Sequence, residues 1–151
     1  YYRYFPLDAA CNNRMQRRGD GSSCDSATAS YCSAKQGVFP RYHTEVFAAR
    51  LEGQILSTTT LQGIARNVGA DWNQMASCMG SGAPLRAIQR DVKDATTLGI
   101  QATPTLVVDG HLLPGGTPNP ADFFPMLDAL VVEKEGPAAI EELQARARGG
   151  S

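Results

Sequence analysis

Residues 98–110, Leu-Gly-Ile-Gln-Ala-Thr-Pro-Thr-Leu-Val-Val-Asp-Gly, constrain the fold more than any other segment. Thr105, Leu106, Val107 and Val108 form a short β-branched and apolar run, the composition of a buried strand. Asp109-Gly110 follows, a dipeptide that tolerates the positive φ angles of a two-residue hairpin turn. The strand is expected over residues 105–109, with a short return at 111–113. Pro104 stands directly before it, where the first strand residue need not donate to the ladder. Two readings of Thr103-Pro104 stay open on these residues. A trans proline would simply open the strand. A cis proline, found at roughly 5% of X–Pro bonds in folded proteins, would mark a loop with a task.

Elsewhere the pattern is mostly helical. Ser22 or Ser23 can cap a helix over residues 24–35 that Gly37 stops. Phe39, Tyr42, Val46 and Phe47 recur at helical spacing in 39–51, with Pro40 in the first turn. Ser57 or Thr58 caps a third helix carrying Leu61, Ile64, Ala65 and Val68, which ends at Gly69. Asp71 caps a short fourth with Trp72, Met75, Ala76 and Met79. Gly80, Gly82 and Pro84 are expected to break the chain before a fifth, 85–98, with Leu85, Ile88, Val92 and Ala95 on one face. Asn119 caps a helix through Phe123, Phe124, Leu127 and Leu130, and Pro137 suits the first position of a last helix, 138–148. The aromatic residues 1–6 predict a strand ending at Pro6, residues 9–21 a polar, Arg-rich connection, and Gly149-Gly150-Ser151 a flexible end.

The length of 151 residues predicts one domain with a real core. A net charge of −1 gives no electrostatic footprint for nucleic acid and no acidic tail. No apolar run approaches the roughly 20 residues that span a bilayer. The opening Tyr-Tyr-Arg-Tyr-Phe-Pro lacks both an initiator Met and a leader pattern, so the chain is expected to be a mature product, an excised domain or a fragment.

Cys11, Cys24, Cys32 and Cys78 are an even and widely spaced set. No metal-binding spacing is present, and no metal or cofactor is expected. Structural disulfides in an oxidising compartment fit this usage. Four buried free thiols in a cytosolic protein are the rival. Cys24 and Cys32 lie eight apart on one expected helix, about 12 Å along its axis, so they cannot bond to each other if that helix is continuous. Two of three connectivities remain open.

Taken together these segments resemble the DsbA-like branch of the thioredoxin superfamily. Thr103-Pro104 before a strand is similar to its cis-proline loop, and Tyr4-Phe5-Pro6-Leu7-Asp8 to a strand end of DsbA-like and bacterial vitamin K epoxide reductase-associated domains. Cys11-Asn12 resembles a subset of those domains. Cys32 with Gln36-Gly37-Val38-Phe39, His43 and Phe47 resembles a further family segment, and Ala76-Ser77-Cys78-Met79 another. The resemblance implies an α/β, thioredoxin-like fold with an all-helical insertion over about 22–99, in one domain covering 1–151. The family's dithiol, Cys-x-x-Cys, has no counterpart at the expected spacing. The first strand and first helix that carry it are therefore expected to be missing, leaving the strands at 1–6 and 105–109 either to close a gap of about 10 Å or to keep open edges.

The implied activity is thiol–disulfide oxidoreduction on protein disulfides, with no catalytic residue in this chain. The alternative is a non-catalytic, thioredoxin-like peptide- or partner-binding module. Thr103 and Pro104 would hold extended substrate backbone. Implied partners are extended protein substrates, a membrane disulfide-generating oxidoreductase and, through strand borrowing, a second copy; nucleic acid is not among them. The implied location is extracytoplasmic: periplasmic, secreted or tethered to the outer face of the membrane. Cysteines placed like Cys32 and Cys78 often occur together in the family, which implies that pair and leaves Cys11 with Cys24.

Other residues have a bland role and a sharper one open to them. Cys24, near a helix start, could be a lone reactive thiol, but a structural half-cystine is expected. His43 could be a base, but a helix-surface or core-edge position is expected. His111 reads as a turn residue and Trp72 as core, and the family resemblance implies that Gly115-Gly116 lets the last helix pack closely. Arg14, Arg17 and Arg18 read as a solvated loop, with substrate-peptide or lipid-headgroup contact as the sharper option. Glu142 and Arg146 form the one expected ion pair on the last helix, which also carries Glu141 and Arg148.

Overall fold

The computed structural model describes residues 1–113 and 116–149. Its elements are α1 (Ser22–Ala34), α2 (Phe39–Leu51), α3 (Thr58–Asn67), α4 (Trp72–Gly80), α5 (Ala83–Thr97), β1 (Val107–Val108), β2 (His111–Leu112), α6 (Pro120–Glu135) and α7 (Ala138–Gly149). They fall into two compact units, Tyr1–Ile100 and Gln101–Ser151.

In the first unit α1 is the central helix, in contact with α2, α3, α4 and α5. Its buried residues are Ala29, Ser30, Cys32 and Ser33, all small, so four neighbouring helices can approach it closely. Larger side chains from those neighbours fill the core: Tyr42 and Val46 from α2, Leu61 and Ile64 from α3, and Met75 from α4. Trp72 is half-buried and packs against this cluster. Tyr42 is fully buried, and its hydroxyl donates to the Leu61 carbonyl at 3.3 Å, so no polar atom is stranded there. Ala87, Ile88, Val92 and Ala95 form the buried face of α5.

Caps account for several helix starts. Ser57 Oγ accepts from the Thr60 N–H, Asp71 from Gln74 and Asn119 from Ala121. The start of α1 differs from expectation. Neither Ser22 nor Ser23 caps it; Gly21 does, with φ 84° and no side-chain bond. Both hydroxyls have other partners, since Ser23 Oγ accepts from the Leu7 N–H and Ser22 Oγ donates to Asp20. Pro84 also differs. It lies in the first turn of α5 rather than breaking the chain, and there its missing N–H has no helical role.

Residues 1–6 form no strand, which corrects the sequence reading. A strand needs a facing row of carbonyls and amides. What faces Tyr4 is a carboxylate: Asp91 of α5 accepts the Tyr4 N–H at 2.9 Å and Arg3 Nη1 at 3.1 Å.

The second unit is a hairpin followed by two helices. β1 and β2 pair antiparallel, Val107 opposite Leu112 and Val108 opposite His111. Asp109 and Gly110 make the turn with φ of 51° and 80°, the left-handed pair that Asp-Gly accommodates. The strands are shorter than expected, with Thr105 and Leu106 outside β1, although the Leu113 N–H still reaches the Leu106 carbonyl at 2.9 Å. His111 lies in β2 rather than in the turn. α6 continues through Pro125 and has no fully buried residue. Glu142 and Arg146 form the expected ion pair on α7. Within the glycine pair at 115–116, Gly115 lies outside the described residues, as do Gly150 and Ser151 of the expected flexible end. Among the described residues no helix is long and apolar enough to cross a membrane.

Candidate functional site

The loop before β1 carries the candidate docking residues. Thr103 and Pro104 are both exposed, and the peptide bond between them is cis. Two hydrogen bonds shape the loop. Thr105 Oγ1 donates to the Ala102 carbonyl at 2.6 Å, and the Gly116 N–H donates to the Pro104 carbonyl at 2.9 Å. Among the described residues the backbone groups of Thr103 have no hydrogen-bond partner. Extended chain can therefore pair with them, in the manner of strand addition. A salt bridge from Lys134 of α6 to Asp109 ties the hairpin turn to the following helix.

All four cysteines lie in the first unit, and all are bonded: Cys11 to Cys24 and Cys32 to Cys78, each pair with Cα atoms 5.9 Å apart. These are the pairs that the family resemblance implies. Cys24 is the third residue of α1, so a thiolate there would be favoured by the helix N-terminus, but its sulfur is closed in the disulfide. Cys32 and Cys78 join the central helix to α4 inside the core.

Around Cys11–Cys24 stands a polar frame that the sequence reading missed. Asp8 and Asn12 are both buried, at 1% exposure each. Asp8 accepts the Ala10 N–H at 2.8 Å through one oxygen and the Gly21 N–H at 3.1 Å through the other. These backbone donors, Ala10 first, hold its carboxyl below the usual carboxylate range against the opposing effect of burial. Asn12 Nδ2 donates to the Pro6 carbonyl at 2.7 Å, and its Oδ1 accepts the Arg14 N–H at 3.0 Å. The Ala9 N–H reaches the Arg17 carbonyl at 3.1 Å. Asp followed two residues later by a free N–H is an Asx-turn signal, and that local cue was available in the sequence. The 13-residue reach from Asp8 to Gly21 was not.

His43 sits in an aromatic stack, with ring centroids 5.2 Å from Tyr2, 5.4 Å from Phe39 and 4.7 Å from Phe47. Burial lowers its pKa below the ordinary 6.5. Among the described residues it has no hydrogen-bonded carboxylate or hydroxyl to orient it as a base. The core-edge position is what the structure has. Nearby, burial first and Asp91 second push the Tyr4 phenol up to about 12.

Residues 11–123 match the family of DSBA-like thioredoxin domains, a span that includes both disulfides and Thr103-Pro104. The chain belongs to that family. Its mostly helical build with a small sheet is that of a DsbA-like thioredoxin fold with a helical insertion. A Na(+)/H(+) antiporter NhaA of Herminiimonas arsenicoxydans is 32% identical over 90 residues, which is 60% of this chain. The match covers 14% of the antiporter's own length. No solved structure matches the chain.

Proposed function

We propose that this chain serves thiol–disulfide exchange on protein substrates, with the loop at Thr103 and Pro104 docking extended substrate backbone. The observation that carries the reading is the family match, which encloses an exposed loop whose Thr103 backbone groups have no partner among the described residues. Exchange needs an accessible thiolate with a resolving thiol beside it. No two cysteines here are two residues apart, and all four are bonded. On this reading the attacking dithiol therefore lies outside the sequence given, and Cys11, Cys24, Cys32 and Cys78 hold the scaffold together.

Two disulfides in one small chain support an extracytoplasmic location, periplasmic, secreted or tethered to the outer face of the membrane. A related segment within a protein named as an Na(+)/H(+) antiporter supports the tethered form. Partners would be extended protein substrates and a membrane disulfide-generating oxidoreductase. β1 pairs only with β2 among the described residues, so its other edge offers strand borrowing to a second copy.

A second reading, a non-catalytic module gripping peptides through the same loop, is favoured by the spacing of the cysteines, no two of which stand two residues apart. Two measurements test these readings. The purified chain should show negligible insulin reduction. Robust turnover abolished by Cys24→Ser would overturn the assignment of the dithiol outside this sequence. Titration with alkylated insulin B chain should shift the amide resonances of Thr103, Thr105 and Leu106. Unshifted resonances at saturating peptide would remove the docking role from both readings. An in-frame Cys-x-x-Cys encoded upstream of Tyr1 separates the enzyme from the binding module.

A further inference from the structure

The loop of residues 12–23 is closed three times over. The Cys11–Cys24 disulfide is one closure. The Asp8 carboxylate bonded to the Gly21 N–H is a second, three residues before each cysteine. The Leu7 N–H on Ser23 Oγ is a third. Gly19 lies against this frame: a Cβ built there would come within 2.9 Å of Asp8 Oδ2. Such closure exceeds what a solvated connection needs.

On this fixed backbone stand Arg14, Arg17 and Arg18, all exposed. Asp8 lies near enough to Arg18 for that cation to help hold its carboxyl low, but it forms no ion pair with it, and the other nearby acids are otherwise engaged. Asp8 is buried and bonded to backbone N–H groups. Asp20 accepts both the N–H and the hydroxyl of Ser22. Asp25 stays in the first turn of α1, where the helix N-terminus offsets its charge. Among the described residues the ion pairs are Arg3–Asp91, Lys134–Asp109 and Arg146–Glu142, and none includes the loop arginines. Leu7, 61% exposed, stands at the mouth of the same loop.

We propose that this loop is a docking surface for the anionic phosphates of a lipid bilayer, with Arg14, Arg17 and Arg18 on the headgroups and Leu7 entering the interface. Guanidinium groups pair with phosphate oxygens in forked geometry. An apolar side chain beside them suits the headgroup boundary better than it suits an acidic peptide, which needs charge alone. A pre-fixed loop also loses little conformational freedom on binding.

Co-sedimentation of the full chain with phosphatidylglycerol–phosphatidylcholine vesicles tests this. Binding is expected to anionic vesicles, to vanish on pure phosphatidylcholine, and to weaken as NaCl rises. The triple variant R14Q/R17Q/R18Q should bind about 100-fold more weakly. Gly19→Ala keeps every charge but disturbs the buried Asp8 frame, and should weaken binding several-fold. Leu7→Ser should weaken it too. Equal binding by the triple variant, or no binding at 50 mM NaCl, overturns the proposal. Capture of a polyglutamate probe without vesicle binding overturns it in favour of an acidic protein partner. Undiminished binding by Gly19→Ala overturns the role of the fixed loop. Circular dichroism and the unfolding midpoint of each variant separate loss of the surface from loss of the fold.

Discussion

The two units of this protein are built on different principles. Unit Tyr1–Ile100 has a buried cluster drawn from four helices and two disulfides. Unit Gln101–Ser151 has a two-stranded hairpin, a helix with no fully buried residue and no disulfide. A lone hairpin is at best marginally stable in water, and three or more strands or a packed helix are needed for independence. Yet the loop proposed to dock substrate, at Thr103 and Pro104, belongs to this second unit. Binding segments are commonly drawn from the less stable parts of a fold, where backbone groups remain free to pair with a ligand. The rigid unit holds covalent and apolar stability, and the thin unit holds open backbone.

The largest effect should come from the bond that spans the most chain. Cys32 and Cys78 are 46 residues apart, and the chain-entropy model gives their disulfide about 4 kcal/mol. Cys32→Ala/Cys78→Ala should lower urea stability of the first unit by about that amount, with hydrogen exchange in the hairpin unchanged. If hairpin amides lose protection equally, the two units unfold as one and the contrast breaks.

Truncations sharpen the same contrast. Leu61 is fully buried, so Leu61→Ala should cost about 3 kcal/mol. Phe124 is 61% exposed in α6, and Phe124→Ala should cost no more than about 0.5 kcal/mol. Chemical denaturation of both variants decides it. A large loss at Phe124 would show that α6 has a packed partner.

The smallest expected effect is a pH dependence confined to the first unit. Burial depresses the pKa of His43 below its ordinary 6.5. The unfolded chain then binds the proton more readily than the folded one. Stability is full above pH 6.5 and falls as pH drops toward the folded pKa. His43→Phe should flatten the melting temperature between pH 7 and pH 5 relative to wild type. An unchanged slope would place the titration elsewhere.

Local features of the chain were legible before any coordinates. Asp71, Ser57 and Asn119 announce their helices, because an N-cap depends on a few neighbouring residues. Asp109-Gly110 announces its turn for the same reason. Thr103-Pro104 was legible as a candidate loop from its place before a β-branched run. The cysteine count indicated disulfides, and helix geometry removed one connectivity. Selecting between the remaining two took family resemblance, since pairing joins residues far apart in sequence.

Only the tertiary structure could decide the rest. Residues 1–6 have strand-like composition but no strand, because a carboxylate on α5, 87 residues away from Tyr4, accepts the amide that a ladder would have used. Ser22 and Ser23 look like caps, yet their hydroxyls bond to Asp20 and Leu7. Asp8 stands in the sequence only as the last residue of a segment resembling a strand end, and its burial and its bond to Gly21 come from the fold alone. Each of these outcomes is a competition between a local partner and a distant one. Sequence propensity reports the local offer alone, and chain topology brings the distant partner within hydrogen-bonding range.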